Sequence, residues 1–464
     1  MAKRVRGNKY TEAWKQLVSA ERLRPTRVIS RSDLDARTPF ENDFDRVVFS
    51  SSFRRLRNKA QVFSLEPHDF VRTRLTHSFE VSTIGRSLGE GAAAGFAPKC
   101  AGLESPRFLR DVGTIVATAC LLHDIGNPPF GHSGEKAIGR WFAANMNDGK
   151  KLKFGNEQER DDLIKFEGNA QALRMATRLQ WTGQDFGMNL TAATLSALIK
   201  YPCASYEVKP EGAKPLKKFG YFKADELAFQ RVRSLTGVSD YRRNPLTYLM
   251  EAADDIAYAT GDIEDVLKKG FVDYETIRES LAATKTSESR ECVEKYLDGP
   301  YLSDFKKVDA RERQQLAIQR FSQMAIRLMM KSSIAAFLDN FDSIMDGAFS
   351  EDLIGAMSMG DLCEALRTVM VQHVYSHVEI AYREQTAWSV ISGLLSAIVD
   401  ELQDRPDGPL ARNTYREAPP HQAEQNNLSD NYRIALRATD YISGMTDGFA
   451  LAQYQRISGM RPSF

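Results

Sequence analysis

The side chains of His123 and Asp124 stand next to each other at the end of an apolar run, residues 112–122. An imidazole and a carboxylate are good ligands for a divalent cation. Both are costly to hold at the end of a buried helix unless a metal or another partner compensates them. Shortly afterwards the sequence supplies His132 and Glu135, which could move protons. This stretch therefore indicates a metal-binding or catalytic site rather than a segment that serves only to pack the core.

A metal site needs more ligands than one His–Asp pair. His77 precedes a segment with helical spacing, and Asp254 and Asp255 lie within another predicted helix, where aspartate has poor propensity. Successive helical residues point about 100° apart, so only one of the two acids faces a given point. Asp254 is the better ligand, because Tyr258 and Asp262 follow it at i+4 and i+8 along one helix face. These two side chains are then available to a molecule bound beside the metal. A lone helical histidine is usually a core or surface residue, so this set by itself is a modest signal.

The elements that carry these residues are predicted to be helices. Apolar residues recur at helical spacing within 112–122, and Gly126 with the prolines after it is typical of a helix end. Similar periodicity covers most of the chain, whereas alternating strand patterns are scarce, so we predict an all-α protein. Helices are expected at 163–180, 190–200, 246–267, 313–340, 361–376, 387–402 and 431–457. Irregular segments are expected at 204–225 and 403–430, and the polar, charged segment 281–310 is interpreted as irregular or as an exposed helical excursion.

The composition narrows the class of protein. Lys and Arg total 62 against 61 for Asp and Glu, so a net charge of +1 favours no nucleic-acid or membrane partner. The five cysteines are widely spaced without a Cys-x-x-Cys pair, which suits a reduced cytosol. No apolar run approaches the roughly 20 residues that span a bilayer, and the basic N-terminus lacks the apolar stretch of a signal peptide. We therefore expect a cytoplasmic protein without a membrane partner.

Six ordered motifs surround the candidate ligands and decide how they are interpreted. They are Arg72-Thr-Arg-Leu-Thr-His77-Ser, His123-Asp-Ile-Gly-Asn-Pro-Pro-Phe-Gly-His132-Ser-Gly-Glu135, Phe166-Glu-Gly-Asn169-Ala-Gln171, Lys200-Tyr-Pro202, Glu251-Ala-Ala-Asp-Asp-Ile256 and Asp440-Tyr-Ile-Ser-Gly-Met-Thr-Asp447. In these motifs the chain resembles the HD-domain superfamily of metal-dependent phosphohydrolases, whose ligand order is H…HD…D. Within that superfamily it is most similar to the dGTP triphosphohydrolase family. The resemblance spans residues 40–270 and returns at 431–457.

The resemblance implies a metal site and a reaction. The family's H…HD…D set binds one or two divalent cations, commonly Mn²⁺ or Mg²⁺, and maps here to His77, His123, Asp124 and Asp254. The implied reaction cleaves a deoxynucleoside triphosphate between the 5′ oxygen and the α-phosphorus and releases tripolyphosphate. A metal ion neutralises charge in such a transition state, and the basic 5′-alkoxide benefits from a proton donor.

The same motifs imply further site residues. His132 and Glu135 match the family's catalytic pair, and at i and i+3 they share one face if a helix starts near 132. The alternative for Glu135 is a first-turn acid favoured by the helix dipole. The positions matched to the sugar are Gln61, Tyr258 and Asp262, and those matched to the phosphates are Arg74, Asn169 and Lys200, with Tyr201 beside them and Asn127 at a position where some relatives carry His.

The expected organisation is an HD-domain helical core with an additional C-terminal helical region. We place an N-terminal arm at 1–45, the catalytic core at 46–270 and the C-terminal region at 271–464, of which 431–457 packs back on the core. The family forms homo-oligomers, often hexamers, and some members respond to a dNTP at a second site or to single-stranded DNA. The resemblance therefore implies a dNTP substrate and self-assembly, and it leaves open whether a dNTP or single-stranded DNA acts as an effector.

Two other functions stay open. The protein could be an HD-type phosphohydrolase that acts on another nucleotide, or a nucleotide-sensing or single-stranded nucleic-acid-binding module without turnover. Basic stretches at 54–59 and 214–222 suit single strands, although a salt-bridged helix surface and an active-site loop are simpler explanations. The complete set of ligands speaks against a module without turnover. His373 and His377, at i and i+4 of a predicted helix, could chelate zinc but have no third ligand, so we predict a structural role.

Overall fold

The computed structural model describes residues 2–24, 35–65, 69–146, 152–180, 186–298, 308–417 and 428–460. Within these ranges it contains 21 α-helices and no β-strand, and extended pairing is limited to the isolated bridges Arg22–Thr191 and Ala60–Thr73. The prediction of an all-α protein is confirmed. Among the described helices, none is long and apolar enough to cross a membrane.

The first half of the chain contributes eleven of these helices. They are α1 Ala2–Leu17, α2 Pro39–Val48, α3 Ser51–Arg55, α4 Arg74–Phe96, α5 Pro106–Leu122, α6 His132–Asn145, α7 Glu157–Ile164, α8 Gly168–Arg174, α9 Ala192–Leu198, α10 Glu226–Thr236 and α11 Pro245–Lys269. A π-helical turn, Met175–Leu179, continues α8.

The second half contributes ten more. They are α12 Tyr274–Ala282, α13 Ser287–Tyr296, α14 Ala310–Asp339, α15 Phe341–Met345, α16 Leu353–Ala356, α17 Gly360–His373, α18 Val378–Asp404, α19 Pro409–Glu417, α20 Asp430–Ser443 and α21 Asp447–Ile457.

Three predicted segments differ from the observed helices. The segment 163–180 divides, because α7 ends at Ile164 and the Glu167 side chain accepts the Asn169 backbone N–H to begin α8. The segment 431–457 also divides into α20 and α21, the second beginning after the capping hydroxyl of Thr446. The predicted loop 403–430 contains α19, and its residues 418–427 lie outside the described ranges.

The antiparallel pair α4 and α5 forms the scaffold of the site. The Thr73 hydroxyl caps α4 by accepting the Thr76 backbone N–H, and Ser105 caps α5 in the same way. Where the two helices cross, a Cβ on Gly89 would lie 2.9 Å from the Cα of Gly113, so only glycine allows this close approach. The tight pairing brings the N-terminal end of α4 next to the C-terminal end of α5.

Apolar packing extends across residue 270. The largest core cluster contains side chains of α4, α5, α11, α14 and α17, and Trp14 of α1 stacks in it on Phe96 with ring centroids 4.1 Å apart. A second cluster joins α6, α18 and α20, and a third joins α8, α9 and α10. The division into an arm, a core and a C-terminal region at 45 and 270 stays a prediction.

The segment 431–457 contacts the first half of the chain through buried polar groups. The Asp440 carboxylate accepts hydrogen bonds from the side chains of Gln171 and Arg174, and the Tyr432 hydroxyl donates to Asp162. These contacts bring the C-terminal helices against α7 and α8, which flank the candidate site.

Candidate active site

Three helices bring the predicted metal ligands together. His77 lies in the first turn of α4, His123 and Asp124 directly follow α5, and Asp254 lies in the middle of α11. The Oδ1 atom of Asp254 is 3.1 Å from His77 Nε2 and 3.4 Å from His123 Nε2. Ligand atoms of His77, His123 and Asp124 all lie within 4.8 Å of one another. Residues far apart in the sequence thus form one compact N/O group.

The His123 ring is oriented as a metal ligand requires. Its Nδ1–H donates to the Cys120 carbonyl oxygen at 2.6 Å, which leaves the lone pair on Nε2. That Nε2 atom is buried and has no hydrogen-bond partner among the described residues. Burial lowers the pKa of His123, but the carboxylates of Asp124 and Asp254 outweigh it and raise the pKa to about 9. The surroundings of this nitrogen therefore favour a positive charge, which a divalent cation would supply.

Asp124 is held on both sides. Arg74 Nη1 lies 2.8 Å from its Oδ2, and the Asn127 side-chain amide donates to its Oδ1. Burial raises the pKa of Asp124, but Arg74, followed by the histidines, lowers it below its usual value. Arg74, which the motifs match to a phosphate position, and Asn127 thus both contact a predicted metal ligand in this structure.

Two glycines allow the tight path of the chain after Asp124. A Cβ on Gly126 would lie 2.1 Å from the Gly168 carbonyl oxygen, so the turn packs directly against the start of α8. Gly131 has φ +57°, and a Cβ there would lie 2.5 Å from an Arg74 guanidinium nitrogen. Larger residues at either position would push the loop away from the metal ligands.

His132 and Glu135 form a hydrogen-bonded pair at the start of α6. His132 Nδ1–H donates to Glu135 Oε2 at 2.6 Å, and the other carboxylate oxygen accepts the Gly168 backbone N–H at 2.8 Å. Burial raises the pKa of Glu135, but the hydrogen bond and charge of His132 lower it below its usual value. The His132 side chain is 74% exposed while that of Glu135 is 9% exposed, so a buried carboxylate orients an accessible imidazole.

A cavity of about 330 Å³ opens beside these groups, large enough for part of a small ligand. Its lining consists of Gln61, Arg74, His123, Asp124, Asn127, His132, Glu135, Glu167, Asn169, Lys200, Tyr201, Lys218, Asp254, Asp255, Tyr258 and Arg367. Both catalytic candidates and seven of the eight residues matched to substrate contacts are in this lining. His77 contacts Asp254 but is not among the residues of this lining.

Asp262 is the predicted substrate residue that this lining does not include. It is 2% exposed, and burial raises the pKa of its carboxyl well above the usual value. Residues four apart on a helix differ by about 40° in direction, so the stripe that starts at Asp254 has turned by about 80° at Asp262. That drift carries Asp262 into the interior beyond Tyr258.

Several lining residues were not singled out from the sequence. Lys218, within the basic stretch 214–222, lies 2.8 Å from Glu167. Asp255 pairs with Arg367 of α17, and the hydroxyls of Tyr258 and Tyr375 are hydrogen-bonded. The basic composition of residues 214–222 could have indicated Lys218. Nothing in the sequence indicated Arg367 of α17 or Tyr375 just after it, because neither belongs to a recognised motif.

Lys200 is held by a buried cluster of charges behind the cavity. Its Nζ lies 3.4 Å from Glu251 Oε1, which is the same distance from Lys214 Nζ, while Arg243 pairs with the other oxygen. Burial raises the pKa of Glu251, but Arg243 and the two lysines together lower it to about 2. Glu251, which this pKa keeps ionised at neutral pH, fixes the Lys200 ammonium at the cavity wall.

The two basic stretches do not present exposed aromatic rings. In 214–222, Phe219 and Phe222 are buried in an apolar core cluster, and Lys218 faces the cavity. In 54–59, Lys59 is buried and donates to two backbone carbonyls. These contacts support the simpler explanation of 214–222 as an active-site loop.

The prediction that His373 and His377 share a helix is wrong. His373 is the last residue of α17, and His377 is the N-cap of α18, where its Nδ1 accepts the Glu379 backbone N–H at 3.2 Å. The His377 ring also packs on Phe271, with centroids 4.7 Å apart. These contacts give His377 a capping and packing role.

Comparison with known proteins identifies the class to which this fold and site belong. Residues 74–178 match the HD domain, and residues 356–456 match the phosphohydrolase-associated domain. The first range contains His77, His123 and Asp124 together with the His132–Glu135 pair. The protein is therefore a hydrolase of the HD-domain class, and this class depends on a metal ion.

Curated relatives define the family more closely. The chain is 37% identical to a deoxyguanosinetriphosphate triphosphohydrolase-like protein of Listeria innocua and 34% identical to one of Synechocystis, over 96% of this chain and 99% of each relative. It is 30% identical to a deoxyguanosinetriphosphate triphosphohydrolase of Serratia proteamaculans, over 96% of this chain and 98% of the relative. The chain belongs to the deoxyguanosinetriphosphate triphosphohydrolase-like family.

Proposed function

We propose that the protein hydrolyses deoxynucleoside triphosphates, with dGTP favoured, to a deoxynucleoside and inorganic tripolyphosphate. The observation that carries this proposal is the compact group of His77, His123, Asp124 and Asp254 beside a cavity with Lys200 and Lys218 in its wall. The names of the relatives, which this chain matches along nearly its whole length, support the substrate class.

The four ligands suit a divalent cation that prefers nitrogen and oxygen donors, and we propose Mn²⁺ or Mg²⁺. When bound, the cation supplies Lewis acidity that neutralises charge on the attacked phosphate. Arg74 and Asn127 keep the Asp124 carboxylate in place, and the Cys120 carbonyl keeps the His123 ring in place. The chain thus holds its ligands before the substrate arrives.

His132 is proposed to handle the proton of the reaction. Glu135 accepts the Nδ1–H, so Nε2 is the nitrogen that faces outward at the cavity. From there the imidazole either protonates the leaving 5′ oxygen or manages the proton of the attacking water. The buried Glu135 stabilises the imidazolium that forms when His132 takes up a proton.

Two lysines in the cavity wall suit the phosphates of a tripolyphosphate. Lys200, fixed by Glu251, and Lys218, fixed by Glu167, supply point charges, and Asn169 supplies a polar side chain. Gln61 and Tyr258 line the same cavity, and we assign them to the sugar. A close-packed tyrosine ring leaves no room for a 2′-OH, which would select deoxyribose. Asp262 lies beyond the wall, so this proposal gives it no direct contact.

A panel of substrates tests the proposal. Purified protein is incubated with each dNTP, singly and mixed, and with GTP, in the presence of Mn²⁺ or Mg²⁺, and the products are resolved by anion-exchange chromatography. We expect equal amounts of deoxynucleoside and tripolyphosphate, dGTP turned over fastest, and GTP intact. Release of orthophosphate or pyrophosphate would instead favour an HD phosphohydrolase of different specificity, and no turnover would favour a binding module.

Substitution of the metal ligands should abolish turnover. In His123→Ala and Asp124→Ala the cation loses one of its donors, and product formation should fall to background in the same assay. His373→Ala is a matched control, because it removes a histidine that is far along the sequence from every proposed ligand. Undiminished activity in either ligand variant would defeat the assignment.

We also propose that the protein assembles with copies of itself and that an effector sets its activity. A dNTP at a second site or single-stranded DNA is the proposed effector. Each is tested by adding it to the assay at low substrate concentration. A rise in rate with one of them identifies the effector, and no response to either contradicts this part of the proposal.

A further inference from the structure

Asp447 connects two segments of the site that are remote from it in sequence. It is the first residue of α21 and is 3% exposed. Its Oδ1 accepts the backbone N–H of Phe130 at 3.0 Å, and its Oδ2 accepts the backbone N–H of Ala60 at 3.1 Å. One carboxylate therefore joins the turn before His132 to the segment that carries Gln61.

The turn that Asp447 holds has a conformation that needs support. Phe130 has φ +66°, in a region that non-glycine residues rarely adopt, and Gly131 follows at φ +57°. Such a backbone persists only where the surrounding structure fixes it. His132 begins α6 immediately afterwards, so the direction of this turn determines where the imidazole lies.

A second contact reinforces the same connection. The buried Lys59 ammonium donates to the Asn127 carbonyl oxygen and to the Ser443 carbonyl oxygen, both at 2.6 Å. Lys59 thus joins the loop after Asp124 to the last residue of α20. The segment 443–447 thus contacts both the Lys59–Ala60 segment and the Phe130 turn. Asp447 accepts two of these hydrogen bonds, one with each oxygen of its carboxylate.

We propose that Asp447 is a positioning residue for the hydrolytic site: its carboxylate fixes the Phe130–Gly131 turn, and thereby His132, relative to the Gln61 segment. This proposal rests on the proposed function for its kinetic consequence, but the hydrogen bonds themselves do not depend on any substrate. Asp447 lies outside the cavity wall, so it acts through the turn and not by contact with the substrate.

The test compares Asp447→Ala and Asp447→Asn with Thr446→Ala. The Thr446 hydroxyl caps the same helix by accepting the Phe449 backbone N–H, so Thr446→Ala removes one capping hydrogen bond next to Asp447 but keeps the carboxylate and both of its acceptor oxygens. For Asp447→Ala we expect kcat to fall about 10- to 100-fold, as small displacements of a catalytic group do. KM should change less than about threefold, because Lys200 and Lys218 are untouched. Asp447→Asn, which keeps one acceptor oxygen, should be intermediate, and Thr446→Ala should keep the wild-type kcat.

Hydrogen–deuterium exchange provides a readout that needs no activity. The amides of Ala60 and Phe130 should both exchange faster in Asp447→Ala than in the wild type, and at least one of them should exchange faster in Asp447→Asn. Thr446→Ala should leave both unchanged. Unchanged exchange at these amides, or a wild-type kcat in both Asp447 variants, overturns the proposal. A wild-type protein that hydrolyses no dNTP defeats the proposed function instead, and the exchange comparison then still decides whether Asp447 holds the turn.

Discussion

Glu135 shows how a single buried carboxylate orients an accessible imidazole, that of His132. One oxygen accepts from His132 and the other from the Gly168 backbone, so neither the acid nor the imidazole can rotate freely. The pKa of Glu135 lies below its usual value, so the carboxylate stays ionised throughout the neutral range. A first-turn acid that served only the helix dipole would not need this second set of partners.

Glu135→Gln should therefore lower kcat by about 100-fold, in the range of general acid–base contributions, while KM stays within about threefold of the wild type. The amide keeps the shape of the side chain but removes the charge that stabilises the His132 imidazolium. Steady-state kinetics with dGTP and Mn²⁺ measure the effect. Glu157→Gln changes an exposed acid in the first turn of α7 and should have no effect, and an equal loss in both variants would support the dipole role.

A residue of the site could be predicted from the sequence only where it lies in a recognisable motif. His77, His123, Asp124 and Asp254 could be named because each lies in a recognisable motif, and the structure brings them together. Arg367 could not be named. It reaches the cavity only because α17 packs against α11, and no local pattern encodes that contact.

At the scale of elements, the close crossing of α4 and α5 determines how the ligands at their ends meet. Gly89 and Gly113 let the backbones approach, whereas a Cβ on Gly91, about half a turn further along α4, would meet only the flexible side chain of Ile334 in α14. The two helical glycines therefore differ in what surrounds them, although both carry the same intrinsic cost in a helix.

Gly89→Ala should destabilise the protein relative to Gly91→Ala by about 1–3 kcal/mol, the usual cost of overpacking. Both changes gain about 1 kcal/mol of helix propensity, so the difference reports the crossing itself. Unfolding free energies from urea titration give this difference. Equal stability of the two variants would mean that α4 and α5 can separate without cost.

Asp162, a buried acid of α7 that contacts α20, makes the free energy of unfolding depend on pH. Burial raises the pKa of Asp162 to about 7, although it accepts from the Lys223 backbone and the Tyr432 hydroxyl. Since this is above the value of 3.8 for a free carboxyl, the folded state binds the proton more tightly than the unfolded state. The contribution of Asp162 to stability therefore falls as pH rises from about 4 to about 7.

Asp162→Asn removes this titration and keeps the shape of the side chain. The free energy of unfolding of the variant minus that of the wild type should increase by about 2 kcal/mol between pH 5 and pH 8. Urea titrations at the two pH values measure it. A difference that does not change with pH would show that Asp162 is ionised throughout this range.

The helices were largely predictable from periodicity, but their interruptions were not. The segment 431–457 reads as one amphipathic helix, yet Thr446 caps a new helix and Asp447 turns toward two distant amides. Such breaks are set by tertiary hydrogen bonds that single-sequence patterns do not contain. The loop expected at 403–430 contains α19 for the same reason, since this short helix packs on α18 and α20.

At the scale of the whole molecule, both halves of the chain build the cavity. The HD domain, residues 74–178, supplies three of the four proposed metal ligands (His77, His123 and Asp124) and the His132–Glu135 pair, and Asp254 follows it in α11. The phosphohydrolase-associated domain supplies Arg367 in the wall and residues 443–447 behind the Phe130 turn. A surface corner at the junction of α17 and α18 leaves Val371, Val378 and Tyr382 exposed by 59%, 57% and 66%. We propose these exposed apolar side chains as candidates for a contact between copies of the chain.

Self-assembly should therefore be visible in solution. Light scattering of the purified protein should give a mass above the 52.2 kDa of one chain, and Val378→Glu, which puts a charge on the exposed corner, should shift the population toward smaller species. An active protein that is strictly monomeric would contradict the proposed assembly.

The measurement that tests the central claim most directly is anomalous X-ray diffraction from crystals grown with Mn²⁺. We expect the main anomalous peak to lie within bonding distance of His77, His123, Asp124 and Asp254 together. A peak elsewhere, or side chains too far apart to bind one ion, would contradict the assignment of this site and with it the proposed reaction.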